Sequence, residues 1–452
     1  MKQLGGLLAL IAVLAALAGV LRVLQSRHKL APELVRKMFH MGGGSICLAL
    51  PWLLPDVRVF LAAAILVTAL LASLQHVSAL RASLGRVLGG VGRVSLGEVY
   101  FPLSVCALYL VSRKDPILYI VPLLILTFAD AVAALIGSRY GFAKFETQGG
   151  TKSVEGSVAF FLAAFFSVHV PLLLSGRTDR LESLLIAIIV GLLAMMVEAI
   201  SWAGSDNLFV PLMAFVLVKG LLSVDAWELG MRLVITAGLS ALVFFGSRHT
   251  AMKADARLAA ILVGHFVWMV ADLRWVVMPA VLFLSFRKLA PSPEYERRYA
   301  QTVYAVLSLA AAGLVWMYIA RAFQLPRLFY PFTVTFAAGL AMVGIIRERF
   351  ACPNRTLFLI VVEQTAKGSL LILLPYALFV WWSEGATLNL AMELAAALVA
   401  VLAAAMVFCA AARPNAVDVH PKRWLYQTLA SGLASGLSVT PFAAGWIGRS
   451  LW

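Results

Sequence analysis

Glycines, acids and several cations gather in a short stretch of this sequence, between Thr127 and Phe160. The stretch contains Asp130 and a Lys-Ser-x-Glu-Gly-Ser cluster that begins at Lys152, and strongly apolar runs flank it. A charge at the centre of a membrane helix costs about 2.5 to 3.5 kcal/mol on insertion scales, so such a cluster requires compensation. A phosphate group for the cations and a metal ion for the acid would supply it.

Asp130 is predicted to be a metal ligand. Small residues at positions 129, 131, 133 and 134 permit close approach of neighbouring helices, which leaves the carboxylate inside a helix bundle. A buried, unpaired acid would be neutralised or would bind a cation, and a hard ion such as Mg²⁺ prefers carboxylate oxygen. The alternative is a simple ion pair between Asp130 and a nearby Arg or Lys.

The glycines and cations that follow Asp130 predict phosphate binding. Glycine lets the backbone approach an anion, and Lys and Arg supply positive charge. Lys152 lies just before an apolar run, where a helix N-terminus would favour phosphate. Thr151 or Ser153, with Glu155 in the first turn, would equally form an ordinary helix cap, and the two interpretations are compatible. The candidate nucleotide-binding residues are Gly137, Arg139, Gly141, Lys144, Lys152, Ser153 and Gly156.

A second polar group lies downstream, at the boundary between two apolar runs. Glu198 ends one run, and Asp206 and Asn207 open the next. A carboxylate beside an amide suits a second metal ion or a hydroxyl-bearing substrate. A helix cap formed by Asp206 is the alternative.

Two further polar motifs lie upstream of the main cluster. His40 follows Arg36 and Lys37 at helical spacing, so the three side chains share a face and could contact phosphate. The same cluster could instead be a topology anchor at the start of a membrane span. Glu98 follows Gly97 and is a candidate substrate contact, with an ion pair as the alternative.

Membrane helices must position these residues. The chain has 452 residues, of which 62% are hydrophobic and 13% charged, a composition outside the range of soluble domains. A helix needs roughly 20 apolar residues to cross a bilayer, and the sequence has about sixteen candidate runs. We therefore predict an all-α, polytopic integral membrane bundle of about 14–16 transmembrane helices, whose first span is retained rather than removed as a signal peptide.

The net charge of +15 is attributed to the loops on one side of the membrane and not to nucleic-acid binding. If the N-terminus is outside, most Lys and Arg residues lie in cytoplasmic loops, with Arg113, Lys114, Arg177 and Arg180 as exceptions. This orientation brings the polar motifs to the cytoplasmic face, as a shared site requires. The cytoplasmic loops that carry the motifs are 25–40, 75–98, 138–153 and 201–207.

The ordered set of motifs resembles the integral-membrane lipid kinases that include dolichol, phytol and farnesol kinases, within a superfamily that contains phosphatidate cytidylyltransferase. The resemblance covers about residues 30 to 225, and Ala129 stands where many members have glycine. The matching motifs are Arg36-Lys37-x-x-His40, Gly97-Glu98-x-Tyr100, Asp130-x-x-Ala133-x-x-x-Gly137-x-x-x-Gly141, Gly150-Thr151-Lys152-Ser153-x-Glu155-Gly156-Ser157 and Glu198 with Asp206-Asn207-x-x-x-Pro211.

The resemblance implies CTP-dependent phosphorylation of an isoprenoid alcohol, with Mg²⁺. It implies a kinase-like membrane domain at 1–225 and leaves 226–452 as a second multi-span region of unknown role. We hypothesise that Asp130, Asp206 and Glu198 hold metal and that Glu155 or Asp206 is the base. Arg139, Lys144 and Lys152 would then hold phosphates, with Arg36, Lys37, His40, Glu98 and Asn207 contacting substrate or phosphate.

Two other functions remain open at this point. A cytidylyltransferase would use much of the same charge pattern but would release pyrophosphate instead of CDP. A lipid transporter or flippase would also have many spans, with polar residues along a path through the membrane.

Overall fold

The computed structural model describes residues 2–76, 96–112, 115–247, 250–289, 293–385, 387–415, 420 and 422–447. Over these ranges the protein is almost entirely helical, which confirms the predicted all-α membrane bundle, and its regular strands form one short hairpin. The helices of the first half are α1 (Lys2–His28), α2 (Pro32–Leu48), α3 (Leu50–Leu53), α4 (Val57–His76), α5 (Gly97–Val111), α6 (Pro116–Leu124), α7 (Asp130–Tyr140), α8 (Val154–Ser175), α9 (Arg180–Ile200) and α10 (Asp206–Leu221). Those of the second half are α11 (Ala226–Gly246), α12 (Ala254–Val270), α13 (Leu273–Leu289), α14 (Pro293–Arg298), α15 (Val303–Ala322), α16 (Phe329–Ala351), α17 (Leu357–Glu384), α18 (Leu388–Ala412) and α19 (Arg423–Ala443).

Nine helical segments within the described ranges are long and apolar enough to cross a membrane, and shorter apolar helices accompany them. The protein is therefore a multi-pass membrane protein. Some of the about 14–16 predicted spans form shorter helices instead. One of the candidate spans, the apolar run 41–54, divides at Ala49 into the end of α2 and the four-residue α3, because Pro51 cannot continue the hydrogen bonding of the preceding helix.

The chain divides into two compact units, Met1–Val234 and Ile235–Trp452. In the first unit α8 packs against α7 and α9, while α10 packs against α5, α6 and α9. In the second unit α16 lies at the centre, with 89% of its most apolar window buried, and contacts α13, α15, α17, α18 and α19. The assignment of a catalytic role to 1–225 stays a prediction.

A π-helical turn at Ile125–Ala129 joins α6 to α7 and ends immediately before Asp130. Pro122 lies inside α6, where it lacks the N–H that would bond to the preceding turn. A π turn inserts an extra residue into an α-helix, and such turns are frequent at functional sites. The local irregularity therefore sets where the Asp130 carboxylate lies.

The hairpin pairs β1 (Lys144–Thr147) with β2 (Gly150–Ser153) in antiparallel register, with Lys144 opposite Ser153. Gly150 has a φ of 125°, a conformation that favours glycine, and Thr147 Oγ1 donates to the Gly150 carbonyl at 2.8 Å. A Cβ on Gly149 would lie 2.5 Å from the Ser201 carbonyl, so the tip of the hairpin packs against the loop after α9. The sequence predicted a loop at 138–153 but not the strands within it.

Candidate active site

Two ion pairs join four separate elements of the first unit. Lys37 Nζ of α2 donates to Asp130 Oδ2 of α7 at 2.7 Å, and the two side chains are only 7% and 16% exposed. Lys152 Nζ of β2 lies 2.6 Å from Glu198 Oε1 of α9 and also donates to the backbone carbonyl of Glu198. Charges distant in sequence are thus neutralised in pairs, as the ion-pair alternative for Asp130 predicted.

Gly44, which has no side chain, allows Lys37 to reach Asp130. A Cβ on Gly44 would lie 2.2 Å from Thr127 Oγ1, so only glycine lets α2 pack this closely against the π turn. Tyr119 of α6 fixes the same contact, because its hydroxyl donates to the Cys47 carbonyl at 2.8 Å. Lys37 lies two turns before Gly44 on the helix held in this way.

We expect Gly44→Ala to destabilise the protein by about 1–3 kcal/mol, the usual cost of overpacking, and to lower its activity because α2 moves away from Asp130. Gly43→Ala is the matched control, since a Cβ there meets nothing within 4 Å. Replacing this helical glycine with alanine should leave the free energy of unfolding unchanged or raise it slightly. Thermal unfolding of both variants in detergent measures the difference, and equal unfolding temperatures would contradict this account.

His40 supports the π turn. Its Nε2 donates to the Leu126 carbonyl at 2.9 Å and lies 3.8 Å from Asp130 Oδ2, while its ring packs edge-on against Phe101 at 4.9 Å. Arg36 lies one turn earlier on α2 and is partly exposed. The basic motif therefore meets Asp130 through Lys37 and His40.

The acids converge on a small, narrow cleft, which encloses about 170 Å³ of space between atoms when its open side is included. Asn207 beside them donates from Nδ2 to the Gly97 carbonyl at 3.2 Å, while its buried Oδ1 has no hydrogen-bond partner among the described residues. Three carboxylates from α7, α9 and α10 and this amide oxygen thus face one space. The lining residues are Leu126, Asp130, Phe160, Glu198, Asp206, Asn207 and Val210.

This donor set suits a hard cation such as Mg²⁺, which binds carboxylate and amide oxygens. Within the described ranges, however, no three or more His, Cys, Asp or Glu side chains stand at the spacing of a metal site. Lys37 and Lys152 instead hold two of the acids through oxygens that a metal would use. Lysine and metal would compete for the same carboxylates. Magnesium binding stays a prediction.

Several predicted phosphate-binding residues form the contact between α7 and α8. Ser153 is the N-cap of α8, where its Oγ accepts from the Gly156 N–H at 3.1 Å, as the capping interpretation predicted. A Cβ on Gly137 would lie 3.0 Å from that Oγ, and one on Gly141 would lie 2.6 Å from it. A Cβ on Gly156 would lie 3.1 Å from the Ala133 carbonyl. These glycines permit close helix packing.

Other predicted residues lie outside the lining of the cleft. Arg139 and Lys144 are exposed, and the Arg139 guanidinium lies 5.5 Å from the centre of the neighbouring Tyr140 ring. Glu155 Oε1 accepts from the Ala143 N–H at 3.1 Å and so ties α8 to the start of the hairpin. Glu98 belongs to the first turn of α5, but its side chain lies outside the described residues.

Sequence reasoning missed the apolar side of the site. Leu126 and Phe160 line the cleft, and Phe101 packs on His40. These residues belong to long apolar runs in which nothing distinguishes a lining residue from one that faces lipid. A usable signal was the Gly42-Gly43-Gly44 run, because clustered glycines indicate close helix packing.

Comparison with known proteins gives one informative relative. A phytol kinase from Synechocystis sp. (strain ATCC 27184 / PCC 6803 / Kazusa) is 31% identical over 192 residues, which are 42% of this chain and 80% of that protein. No family model and no solved structure matches the chain. The share of the relative that is covered, together with the level of identity, supports the family that the motifs indicated. This chain belongs to the phytol kinase family.

Proposed function

We propose that the protein transfers the γ-phosphoryl group of CTP to the hydroxyl of an isoprenoid alcohol, such as phytol, at the cytoplasmic face of the membrane. One observation carries the proposal: Asp130, Glu198, Asp206 and Asn207 line one cleft in a chain related to a phytol kinase. Two lysines reach two of these acids. The site therefore has both the negative charges that bind a metal ion and the positive charges that bind the phosphates of a nucleotide.

The lysines and the acids would exchange partners when nucleotide binds. Lys37 and Lys152 are held by carboxylates, and phosphate oxygens offer them equivalent charge-assisted hydrogen bonds. Asp130 and Glu198, once released by the lysines, would hold Mg²⁺. When bound, the ion supplies neutralisation of the charge on the phosphate oxygens. The paired arrangement keeps every buried charge compensated until the nucleotide arrives.

The transfer itself requires mainly positioning. The alcohol oxygen bonds to the γ-phosphorus as the bond from that phosphorus to the β-phosphate oxygen breaks, and CDP leaves. Asp206 is the residue we assign to accept the hydroxyl proton, because it lines the cleft and neither lysine pairs with it. Glu155 is the weaker candidate, since its carboxylate is engaged with the Ala143 N–H.

The alcohol would enter the cleft from the bilayer. Leu126, Phe160 and Val210 give the cleft an apolar side, which suits the hydrocarbon next to the hydroxyl. On the opposite face of α8, Val158, Leu162 and Phe166 are about half exposed at helical spacing, as expected of a surface in contact with lipid. The cytoplasmic orientation is supported by the distribution of Lys and Arg among the loops.

The test is the identity of the two products. Purified full-length protein in detergent is incubated with Mg²⁺, γ-labelled CTP or ATP, and phytol, farnesol, geranylgeraniol, polyprenol, dolichol or phosphatidate. We expect label in the monophosphate of an isoprenoid alcohol and stoichiometric CDP. Release of pyrophosphate with phosphatidate would favour the transferase instead, and the absence of label in every lipid would refute the kinase.

A further inference from the structure

The second unit contains a large apolar cavity. With its open mouth included, it encloses about 1030 Å³ of space between atoms. Its walls come from α11, α12, α13, α15 and α16 and include Leu239, Val263, Phe283, Leu309 and Phe336. Walls of this composition suit hydrocarbon.

One end of this cavity is polar. Tyr295, Gln301, Trp424 and Gln427 lie among the lining residues. Gln427 is fully buried, and neither of its side-chain polar atoms has a hydrogen-bond partner in the part of the chain that the structure describes. A buried amide without partners is costly, so a bound polar group is the simplest compensation.

A buried cation lies beside the same polar end. Arg423 is one helical turn before Gln427 on α19 and is only 6% exposed. Its Nη1 donates to the Tyr295 hydroxyl at 2.5 Å, and its guanidinium lies 3.8 Å from the centre of the Trp424 ring. Among the described residues no carboxylate forms an ion pair with it. A buried guanidinium next to an amide offers the donors that an anionic head group needs.

We propose that this cavity binds a single-chain lipid with an anionic head, its chain in the apolar part and its head at Arg423 and Gln427. Arg423 is the first residue of α19, so the polar end lies where a helix begins. A membrane-bound amphiphile places its head at such an end and its chain among the helices. A phospholipid with two chains would have to place twice as much hydrocarbon in the same cavity. The binding requires no catalysis by the first unit.

The experiment measures binding of tritiated phytyl monophosphate to the full chain in detergent by scintillation proximity. We expect saturable binding. Palmitate and unlabelled phytyl monophosphate should displace the label at least about tenfold better than phytol or inorganic phosphate do. The reason is that palmitate and phytyl monophosphate carry both a hydrocarbon chain and a negative charge, whereas phytol has only the chain and phosphate only the charge. The comparison of palmitate with phytyl monophosphate distinguishes a carboxylate head from a phosphate. Displacement by dioleoyl phosphatidate alone, or equal displacement by phytol, would overturn the proposal.

Variants locate the site. Ala280→Phe, which fills the cavity from α13, should weaken binding at least about tenfold, whereas Leu284→Phe on the exposed face of the same helix should not. Gln427→Leu should reduce the preference for an anionic head over phytol, and it serves where Arg423→Gln does not fold. Asp130→Asn should leave this binding intact. Binding that Asp130→Asn abolishes and Ala280→Phe preserves would place the lipid in the first unit and overturn the inference, whether or not the kinase assay succeeds.

Discussion

Replacing Asp130 with asparagine is expected to lower the rate of phosphoryl transfer by roughly 10³-fold, a loss typical of removing one group that organises charge in a transition state. Asparagine has nearly the same shape but cannot balance the charge of Lys37 or hold a divalent cation as strongly. Initial rates with γ-labelled CTP and the best alcohol from the substrate panel measure the loss.

The stability of this variant has to be separated from its activity. Asp130→Asn leaves the buried Lys37 ammonium without its counter-charge, and breaking a buried pair costs about 3–5 kcal/mol. The double variant Lys37→Met with Asp130→Asn removes both charges, so its unfolding temperature should return toward that of the wild type while activity stays lost. A folded Asp130→Asn protein with full activity would refute the catalytic assignment.

Replacing Lys152 with methionine is expected to lower kcat/KM for the nucleotide by about 100-fold, because one charge-assisted contact with phosphate is lost. The same change leaves Glu198 uncompensated in a partly buried position. Adding Glu198→Gln should restore stability but not nucleotide use. Recovery of both together would show that the pair is purely structural.

The chain offers a matched control for this loss of an ion pair. Arg177 binds both oxygens of Asp115 at 2.6 Å, but this pair is more exposed and its residues do not line the cleft. Arg177→Met should change stability by no more than about 1 kcal/mol, as is usual for exposed pairs, and leave kcat/KM unchanged. A loss of activity equal to that of Lys152→Met would show that any lost pair impairs this protein.

The convergence of the polar motifs could be predicted because each interrupts an apolar run. Hydrophobicity places Asp130, Glu198 and Asp206 at or near the ends of helices, and helix order then brings those ends together. The capping role of Ser153 followed from its position before Glu155 and an apolar run. Such inferences need only composition and helical spacing.

Partner choice could not be predicted in the same way. Lys37 and Lys152 bind acids, whereas Arg139 and Lys144 are exposed, although all four are cations near the same motifs. The difference depends on how closely the helices approach each other, as at the contact between Gly44 and Thr127. The number of spans could not be predicted from composition either, because Pro51 divides an apolar run that no charged residue interrupts in the sequence.

The π-helical turn before Asp130 means that the direction of this carboxylate depends on how many residues the helix contains. Each residue advances an α-helix by about 100°, so one additional residue within a helix turns everything after it by that angle relative to everything before it. The segment from Pro116 is fixed by Tyr119 on one side of the turn, and Asp130 faces Lys37 on the other. Loss of Ile125, Phe128 or Ala129 would turn the helix after the deletion relative to the helix before it, while leaving every residue that lines the cleft present. The geometry of the site therefore depends on the number of residues in this helix. Substitutions keep that number constant, so only deletions or insertions test this dependence.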